Sequence, residues 1–366
     1  MHEELIYRIG VTLIPGIGDV LAKKLIAYCG GAKEVFEKKP AALKKTPGIG
    51  SKLAQEIIKQ DVLKRAEEEV KFIEKYRIQP LYFAENDYPE RLKNCTDSPV
   101  LLYSKGSFDF NKGKFISIVG TRSATAYGKE FCEKLIEKLV DRQVHIVSGL
   151  AYGIDIAAHK SALKNGLPTI AVLAHGLDRI YPQNHSKAAK QMLEKGALIT
   201  DYMSQTNPDR ENFPKRNRLI AGLSDATIVV EAGKRGGALI TAELANSYNR
   251  DVFAVPGRVG DLQSEGCNWL INRNKAALLN SAEELLYMMG WDEQEKSKKP
   301  IQKQLFIELK PDEKSLVEIL SKNGATSIDA LSLKANMPIS NVSMALLNME
   351  MQGIIKAQPG KVFKLA

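Results

Sequence analysis

The stretch FISIVGTRSATAYGKEFCEKLIEKLVDRQVHIVSG, from Phe115 to Gly149, decides the fold. An apolar run at 115–120 precedes an amphipathic stretch at 127–142, and a second apolar run follows at 145–149. Continuous apolar runs of this length are typical of strands that are buried on both faces of a parallel sheet. The stretch therefore predicts a strand, a helix and a second strand.

The same alternation continues to residue 257. Further apolar runs stand at 169–176, 197–202, 226–232 and 251–257, and amphipathic stretches lie at 153–165, 185–195, 214–223 and 238–249. Strands that alternate with helices predict an α/β domain with a Rossmann-like, doubly wound and mostly parallel sheet. Right-handed crossovers bring the loops after the strands to one edge of the sheet, where such folds bind ligands.

Composition and charge exclude several classes of protein. The 366 residues are 44% hydrophobic and 26% charged, which is typical of a globular chain and not of a disordered one. No apolar run reaches the ~18 residues of a transmembrane helix, and the acidic N-terminus MHEELIYRIG lacks the apolar region of a secretory signal. We therefore expect a cytoplasmic protein without membrane contact. The net charge of +9 is compatible with a polyanionic partner.

Neither a metal site nor a catalytic group is predicted. The cysteines at positions 29, 95, 132 and 267 form no C-x-x-C pair, so we expect buried, reduced thiols. No cluster of cysteines, histidines and carboxylates predicts a metal, and no nucleophile is spaced from a histidine in a recognisable way. The sequence therefore predicts no cofactor.

Two regions flank the central domain, which we place at residues 76–290. Residues 1–75 are helical in pattern, and the polar stretch 291–309, which contains a proline, is typical of an exposed linker. In residues 310–366, three amphipathic stretches precede two short strand-like stretches around Pro359-Gly360. Three helices and a hairpin are the layout of a winged helix.

Residues 1–75 contain an internal repeat, because the sequence PGIG occurs at 15–18 and again at 47–50. The repeat resembles the helix–hairpin–helix motif of SAM-like all-α domains. Its glycines allow a tight hairpin whose N–H groups point outward at the start of a helix and bind phosphate. Two interpretations remain open: sequence-independent contact with a DNA backbone, or a protein–protein module that has kept the fold. The candidate contacts are Gly16, Gly18, Gly48, Gly50 and Lys52, with Lys23 and Lys24 in the first repeat.

Three segments of the central domain carry candidate DNA contacts. The first strand ends at Gly120-Thr121-Arg122, where backbone N–H groups and a guanidinium suit a phosphate. The second strand ends at Ser148-Gly149, a further turn of small residues. The third segment combines an aromatic ring with cations at a helix start, as a single-stranded nucleic acid site needs. Its candidates are Phe213, Lys215, Arg216, Asn217 and Arg218.

The segment EAGKRGGALITAELA, at 231–245, is a glycine-rich turn after a strand. It resembles the P-G-G-x-G-T-x-x-E turn of the nucleotide-hydrolysing phosphoribohydrolases, also called lysine decarboxylase-like proteins, and its paired glycines and Glu243 match by spacing. However, Arg235 replaces the proline, and Leu239-Ile240 replace the Gly-Thr pair that holds a phosphate in those enzymes. We interpret the turn as a relic of such a site or as a structural turn. A nucleotide-phosphate hydrolase of this type stays the alternative function.

Segments along the central domain together resemble the DNA-processing protein A family, also called Smf. They follow the family's order and spacing: YPERLKNCTDSPVLLYSKG (88–106), VGTR…YG (119–128), SGLAYGIDIAAH (148–159), YPQNH (181–185), FPKRNRLIAGLSD (213–225), EAGKRGGALITAELA (231–245) and VPGRVGDLQSEGCNWLI (255–271). The N-terminal hairpins and the C-terminal winged helix are similar to accessory domains of this family.

The resemblance implies a binding protein and not an enzyme. Members of the family bind single-stranded DNA that enters a cell during natural transformation, protect it, help load the RecA recombinase and act as homodimers. The glycine–hydroxyl–arginine turn carries over to Gly120, Thr121 and Arg122, the Ser-Gly turn to Ser148 and Gly149, and F-P-x-R-N-R to Phe213, Arg216, Asn217 and Arg218. Dimer and RecA contacts are expected in the later part of the central domain. A protein scaffold without retention on single-stranded DNA is a third hypothesis.

The last helical stretch of the winged helix, PISNVSMALLNMEMQG at 338–353, contains neither Lys nor Arg. A winged helix normally inserts its third helix into the major groove, where cations contact phosphates. We therefore favour protein contact or self-association for this domain. The lysines of the wing, Lys356, Lys361 and Lys364, leave duplex binding open.

Overall fold

A computed structural model describes residues 2–59, 61–291, 309–358 and 362–365. The chain divides into two compact units, residues 1–292 and residues 293–366. The expected linker at 291–309 lies outside the described residues except at its two ends. Among the helices described, none is long and apolar enough to cross a membrane.

The first unit begins with short helices that carry the predicted repeat. These are α1 (His2–Leu13), α2 (Asp19–Cys29), α3 (Ala32–Glu37), α4 (Pro40–Leu43), α5 (Ser51–Lys59) and α6 (Leu63–Tyr76). The repeat glycines lie in the turns before α2 and α5. The predicted all-α domain is thus confirmed.

A single large sheet forms the centre of the first unit. Its strands are β1 (Gln79–Tyr82), β2 (Leu101–Lys105), β3 (Lys114–Val119), β4 (Val144–Ser148), β5 (Thr169–Val172), β6 (Ala197–Thr200), β7 (Ala226–Val229), β8 (Asp251–Ala254) and β9 (Ala277–Leu278). Within the described ranges they pair in the order β1-β2-β6-β5-β4-β3-β7-β8-β9. The strands from β3 to β9 are parallel, whereas β2 pairs antiparallel with β6 and β1 pairs antiparallel with β2. The predicted Rossmann-like, mostly parallel sheet is confirmed.

Helices cover both faces of this sheet. They are α7 (Glu90–Lys93), α8 (Ala126–Glu137), α9 (Ile154–Lys164), α10 (Ser186–Met192), α11 (Asn212–Gly222), α12 (Gly237–Ser247), α13 (Glu265–Asn272) and α14 (Ala282–Met288). Alternate residues of β3 point to opposite faces, so Ile116 and Ile118 pack with α8 and α9, and Phe115 and Val119 pack with α11 and α12.

The helix predicted at 127–142 ends at Glu137, earlier than expected. The backbone leaves the helix through turns, and Asp141 and Gln143 adopt left-handed φ values of 65° and 54°. Helical φ values are negative, so the helix cannot continue through these residues.

The helical region and the sheet share one apolar core. Ile9, Leu25 and Val70 of the helices belong to the same buried cluster as Val100 and Tyr103 of the sheet region. Polar contacts cross the same boundary. Buried Glu69 accepts a hydrogen bond from the Ser204 backbone N–H at 2.9 Å, and Arg65 donates to the Ser204 carbonyl at 2.6 Å. The N-terminal region is therefore built into the first unit.

The second unit is a winged helix, as predicted. Its elements are α15 (Pro311–Asn323), β10 (Thr326–Ser327), α16 (Ile328–Ala335), α17 (Ile339–Met351), β11 (Ile355–Gln358) and β12 (Val362–Leu365). Leu346 and Met349 of α17 are buried in its core, whereas Met344, Leu347 and Met351 are exposed. The expected turn at Pro359-Gly360, with Lys361, lies outside the described residues.

Candidate nucleic-acid interface

A cavity of about 640 Å³ lies at the carboxyl edge of the sheet, lined by the loops after β3 and β7. From β3 the chain fills one side of the sheet through β4, β5 and β6, and then returns to β7 and β8 on the other side. The neighbours β3 and β7 therefore form the topological switch point, where open α/β sheets bind their ligands. We call this cavity the edge cavity.

Loop 120–125 forms one wall of the edge cavity, and Glu231 holds it in place. The Thr121 backbone N–H donates to the Glu231 carbonyl oxygen at 2.7 Å. The Glu231 carboxylate accepts hydrogen bonds from the backbone N–H and the hydroxyl of Thr125, at 2.9 and 2.5 Å. A Cβ on Gly120 would lie 2.5 Å from an isoleucine Cγ1 at the start of α9, so this position has no room for a side chain. The loop is therefore fixed before any ligand arrives.

Positive charge dominates the edge cavity. The arginines on its lining are Arg122, Arg210, Arg216 and Arg235, and Asp155 is the acidic residue among the lining side chains. Among the residues that the structure describes, Arg122, Arg210 and Arg235 have no carboxylate partner. This excess of cations attracts an anion.

Two aromatic rings stand at the edge cavity beside an arginine. The guanidinium carbon of Arg122 lies 5.2 Å from the centroid of the Phe213 ring, within the range of a cation–π contact. The Tyr181 ring is 6.0 Å from the Phe213 ring, and Tyr181 is 45% exposed. A flat, apolar face next to a cation suits a nucleobase and its phosphate.

Arg216 lies at the buried back of the edge cavity, where it is 3% exposed. Its Nη1 donates to the carbonyl oxygen of Gly149 at 2.9 Å and to that of Val172. Burial lowers the pKa of Arg216 to about 10, although the nearby Asp155 carboxylate opposes this shift. The guanidinium is thus charged at neutral pH and adds a fixed positive charge.

Helix α12 directs its N-terminus at the edge cavity. It begins at Gly237, follows Arg235-Gly236, and has no side-chain cap on its first N–H groups. Asn217 donates to the Gly237 carbonyl oxygen at 3.1 Å and ties α11 to this end of α12. Uncapped N–H groups and the helix dipole favour an anion such as a phosphate.

The candidate residues from the sequence separate into two groups. The lining of the edge cavity includes Gly120, Thr121, Arg122, Phe213, Arg216 and Asn217. It does not include Ser148, Gly149, Lys215 and Arg218. The Ser148 hydroxyl is buried and donates to a β3 carbonyl oxygen at 2.6 Å, and Lys215 is exposed, 3.7 Å from Glu211.

Arg218 differs most from the expected phosphate clamp. It lies 2.5 Å from Asp201 and 3.1 Å from Asp19, and it donates to the Asp97 carbonyl oxygen. Burial alone would lower its pKa, but the two carboxylates raise the pKa of Arg218 above its usual value. Because its charge is already matched, Arg218 joins parts of the chain that are distant in sequence.

Sequence reasoning missed Arg210, Arg235 and Tyr181 as lining residues. Arg235 had a usable signal, since it replaces the proline of a phosphate-holding turn directly before a helix. Tyr181 belongs to the family-like segment YPQNH. Arg210 stands in a polar loop with no local pattern.

The two hairpins of the N-terminal repeat pack against each other. Gly16 and Gly48 have left-handed φ values of 77° and 95°, which glycine adopts without strain. A Cβ on Gly48 would lie 2.8 Å from Leu21 Cδ2, and one on Gly16 would lie 3.1 Å from Leu53 Cδ2. Each hairpin therefore contacts the helix that follows the other one.

The first hairpin is tied to the sheet region, although Lys24 in the helix after it is exposed. After the first hairpin, the Asp19 carboxylate accepts a hydrogen bond from the Val100 N–H at 2.9 Å, and Lys23 donates to Ser98 Oγ at 2.5 Å. After the second hairpin, Lys52 is exposed. The candidates Gly18 and Gly50 are exposed, and a Cβ on either would meet nothing within 4 Å.

The fold and the edge cavity define a Rossmann-like protein with helix–hairpin–helix and winged-helix accessory domains. The family model for DNA recombination-mediator protein A matches residues 79–290. Models for a SAM-like helix–hairpin–helix tandem and for the DprA winged helix domain match residues 10–60 and 303–361. The chain belongs to the DNA recombination-mediator protein A family, as its motifs predicted.

Known relatives support this assignment over the whole chain. Protein Smf of Synechocystis sp. is 32% identical, and the match covers 98% of each chain. The crystal structure of DNA processing protein A from Streptococcus pneumoniae is similar with a TM-score of 0.67 and 33% identity, over 77% of this chain and 97% of that one. DNA processing protein A from Helicobacter pylori, whose structure concerns a single-stranded DNA binding mode, has a TM-score of 0.54 and 30% identity, over 59% and 97%.

Proposed function

We propose that the chain binds single-stranded DNA in the edge cavity and performs no catalysis. The observation that carries this proposal is the group of arginines, against the single lining carboxylate of Asp155, around the ring of Phe213. The structure of the Helicobacter pylori relative, which concerns a single-stranded DNA binding mode, supports it.

The binding mechanism follows from these groups. A phosphate is held by the first N–H groups of α12 together with Arg235 and Arg122, and Arg216 adds charge from behind. A base stacks on Phe213, which contributes about 1–3 kcal/mol. Ser148, Gly149 and Arg218 act behind the surface by supporting the loops and helices of the cavity. Because these contacts are to phosphates and to the face of a base, and not to base edges, we expect binding that is independent of sequence.

A few phosphate contacts in one protomer are weak at cellular salt, so we propose that a homodimer engages one strand. Linked sites raise the overall affinity without any new contact. Large apolar side chains are exposed in the later part of the central domain, at Val259, Leu262, Trp269 and Tyr287. This part of the surface is available for the dimer partner and for RecA. Binding should therefore be cooperative, and a non-cooperative binding curve would contradict the dimer proposal.

The cellular role that fits this activity is protection of incoming single strands in the cytoplasm and loading of RecA during natural transformation. The name of the family, recombination-mediator protein A, supports the recombination part of this role. For the winged helix we propose protein contact, because α17 has no Lys or Arg and exposes Met344, Leu347 and Met351.

The alternative, a nucleotide-phosphate hydrolase, has less support. Its motif glutamate, Glu243, is not on the lining of the edge cavity and lies 3.2 Å from Lys275. Asp155, which is on the lining, accepts hydrogen bonds from the Gly149 and Ala151 N–H groups. Release of a free base from a nucleoside monophosphate would favour the hydrolase.

The first prediction compares the edge cavity with the second hairpin. Arg122→Ala should weaken binding to a single-stranded oligonucleotide by about tenfold or more, because it removes a charge-assisted contact worth about 1.5–3 kcal/mol. Lys52→Ala should have a smaller effect. Both residues are exposed, so neither variant is expected to disturb the fold. The measurement is a salt titration of binding to single-stranded and double-stranded oligonucleotides.

Lys164→Ala, at the exposed end of α9 on the opposite edge of the sheet, is the matched control and should leave binding unchanged. If Lys52→Ala is the more damaging variant, the main DNA site is the hairpin. If single and double strands bind with equal affinity and Arg122→Ala changes neither affinity, the edge cavity is free for a nucleotide and the proposal fails.

A further inference from the structure

We infer that the bound strand continues from the edge cavity into a second cavity beside α10, which acts as a further single-stranded DNA subsite. This inference rests on the proposed function. The second cavity has a volume of about 730 Å³ and runs along α10 towards β2. We call it the lateral groove. Its lining includes Lys105, Arg179, Lys190, Leu193 and Leu198.

The lateral groove adjoins the edge cavity. Tyr181 and Pro208 belong to the lining of both. The Tyr181 ring, 6.0 Å from the Phe213 ring, stands at the junction. A strand with one base against Phe213 therefore meets its next aromatic face at the entrance of the lateral groove.

The charges of the lateral groove suit a polyanion. Asp178, its acidic lining residue, pairs with Arg179 at 2.8 Å. Lys105 and Lys190 have no carboxylate partner among the residues that the structure describes, so two positive charges are unmatched. The half-buried Leu193 adds apolar surface to the lining, which suits the face of a base, and Leu198 beneath is buried in the core.

The far end of the lateral groove leads to another aromatic ring. Lys105 Nζ lies 5.7 Å from the centroid of the Tyr76 ring, and Lys75 Nζ lies 5.3 Å from it. Tyr76 ends α6 and is 43% exposed. An exposed ring between two cations repeats the arrangement of Phe213 and Arg122, and it directs the strand to the end of α6.

The test measures how affinity depends on the length of the DNA. Oligothymidylates of about 4 and about 16 nucleotides span the usual range of single-strand site sizes. In the full-length chain, the Lys105→Ala/Lys190→Ala variant should bind the short oligonucleotide as the unmodified chain does. It should lose about tenfold in affinity for the long one, with a salt slope smaller by about 1.4, since each lost phosphate contact contributes about 0.7.

Two comparisons keep this test separate from the test of the proposed function. Lys112→Ala/Lys164→Ala removes two exposed cations at the opposite edge of the sheet and should change neither affinity. Arg122→Ala should weaken the binding of both oligonucleotides.

The outcomes then separate the two proposals. If Arg122→Ala weakens the binding of both oligonucleotides but the Lys105/Lys190 variant binds the long one normally, the lateral groove serves another partner, such as a peptide, and this inference is wrong. An equal loss for both lengths in the Lys105/Lys190 variant also overturns it. If Arg122→Ala weakens neither, the proposed function itself fails.

Discussion

Arg122 and Arg218 carry the same charge in opposite surroundings. Arg122 is exposed and has Phe213 as its neighbour, whereas Arg218 lies between the carboxylates of Asp19 and Asp201. A cation without a partner is ready for a phosphate, whereas a matched cation would have to break an existing ion pair first. Substitution of Arg122 should therefore change the affinity for DNA, whereas substitution of Arg218 should change the free energy of unfolding.

The prediction for Arg218→Ala is a loss of stability. Removing one member of a mostly buried charge cluster leaves its partners uncompensated and should lower the free energy of unfolding by about 3 kcal/mol. Chemical denaturation measures this loss, and Arg122→Ala, which breaks no ion pair, should stay within about 0.5 kcal/mol of the unmodified chain. A stable Arg218→Ala variant with the DNA-binding defect of Arg122→Ala would make Arg218 a direct contact.

The burial of His159 predicts how the free energy of unfolding depends on pH. Its side chain is fully buried with Nδ1 2.7 Å from Thr169 Oγ1, and burial, with smaller effects of His185 and Arg216, lowers the pKa of His159 to about 3. The unfolded chain takes up this proton below about pH 6.5 and the folded chain does not. The contribution of His159 to the free energy of unfolding therefore has its full value above pH 6.5, and it is lost as the pH drops towards 3.

The measurement is denaturant unfolding between pH 7 and pH 4 for the unmodified chain and for His159→Gln. The unmodified chain should lose up to about 1.4 kcal/mol per pH unit more than the variant, which corresponds to one proton. His145 and His175, whose pKa values are also lowered by burial, contribute equally to both chains. Parallel curves for the two chains would mean that His159 does not carry this dependence.

Long-range partners explain what the sequence could not predict about the site. The segment at 213–218 predicts an aromatic ring beside cations, and Phe213 and Arg216 do lie at the edge cavity. The sequence cannot tell that Asp19 or Asp201 neutralises Arg218, because those residues come from other elements. The distinction between a free and a matched cation is made only when the chain folds.

At the scale of elements, the hairpin glycines predict a contrast between two similar substitutions. Gly48→Ala should lower the free energy of unfolding by about 1–2 kcal/mol, because Gly48 has a left-handed φ and Leu21 stands close by. Gly50→Ala adds a methyl group in open space and should leave stability within about 0.5 kcal/mol. Urea unfolding of both variants measures the contrast, and equal losses would contradict the description of the hairpins.

The central strands and helices could be predicted because each carries its own apolar run or periodicity. β1, β2 and β9 could not be predicted in this way. β1 and β2 are as long as the central strands but lie outside the strand–helix alternation and pack with distant residues, and β9 has two residues.

At the scale of the whole molecule, the shared core predicts how the chain responds to truncation. A chain that lacks residues 1–75 exposes Val100, Leu101 and Tyr103, which now pack in the cluster that includes the N-terminal helices. Each large apolar side chain that is exposed costs about 1.5–3 kcal/mol. A chain that lacks residues 293–366 keeps the core of the first unit complete.

Thermal unfolding of the two truncated chains measures this difference. The chain without residues 1–75 should unfold well below the intact chain, and the chain without residues 293–366 should keep the transition of the first unit. If the sheet unfolds at the same temperature without its N-terminal helices, the shared core does not stabilise the sheet.

The asymmetry of the two hairpins shows what a duplicated motif makes possible. Asp19 in the first copy corresponds to Ser51 in the second, and Asp19 contacts Val100 and Arg218, whereas Ser51 is exposed. The first copy anchors the repeat to the rest of the first unit, and the second copy leaves an exposed surface, so the repeat combines two roles that one hairpin could not. The second copy does not make this contact, so its exposed residues are less constrained by the fold. Substitutions should therefore be tolerated to different degrees in the two halves of the repeat.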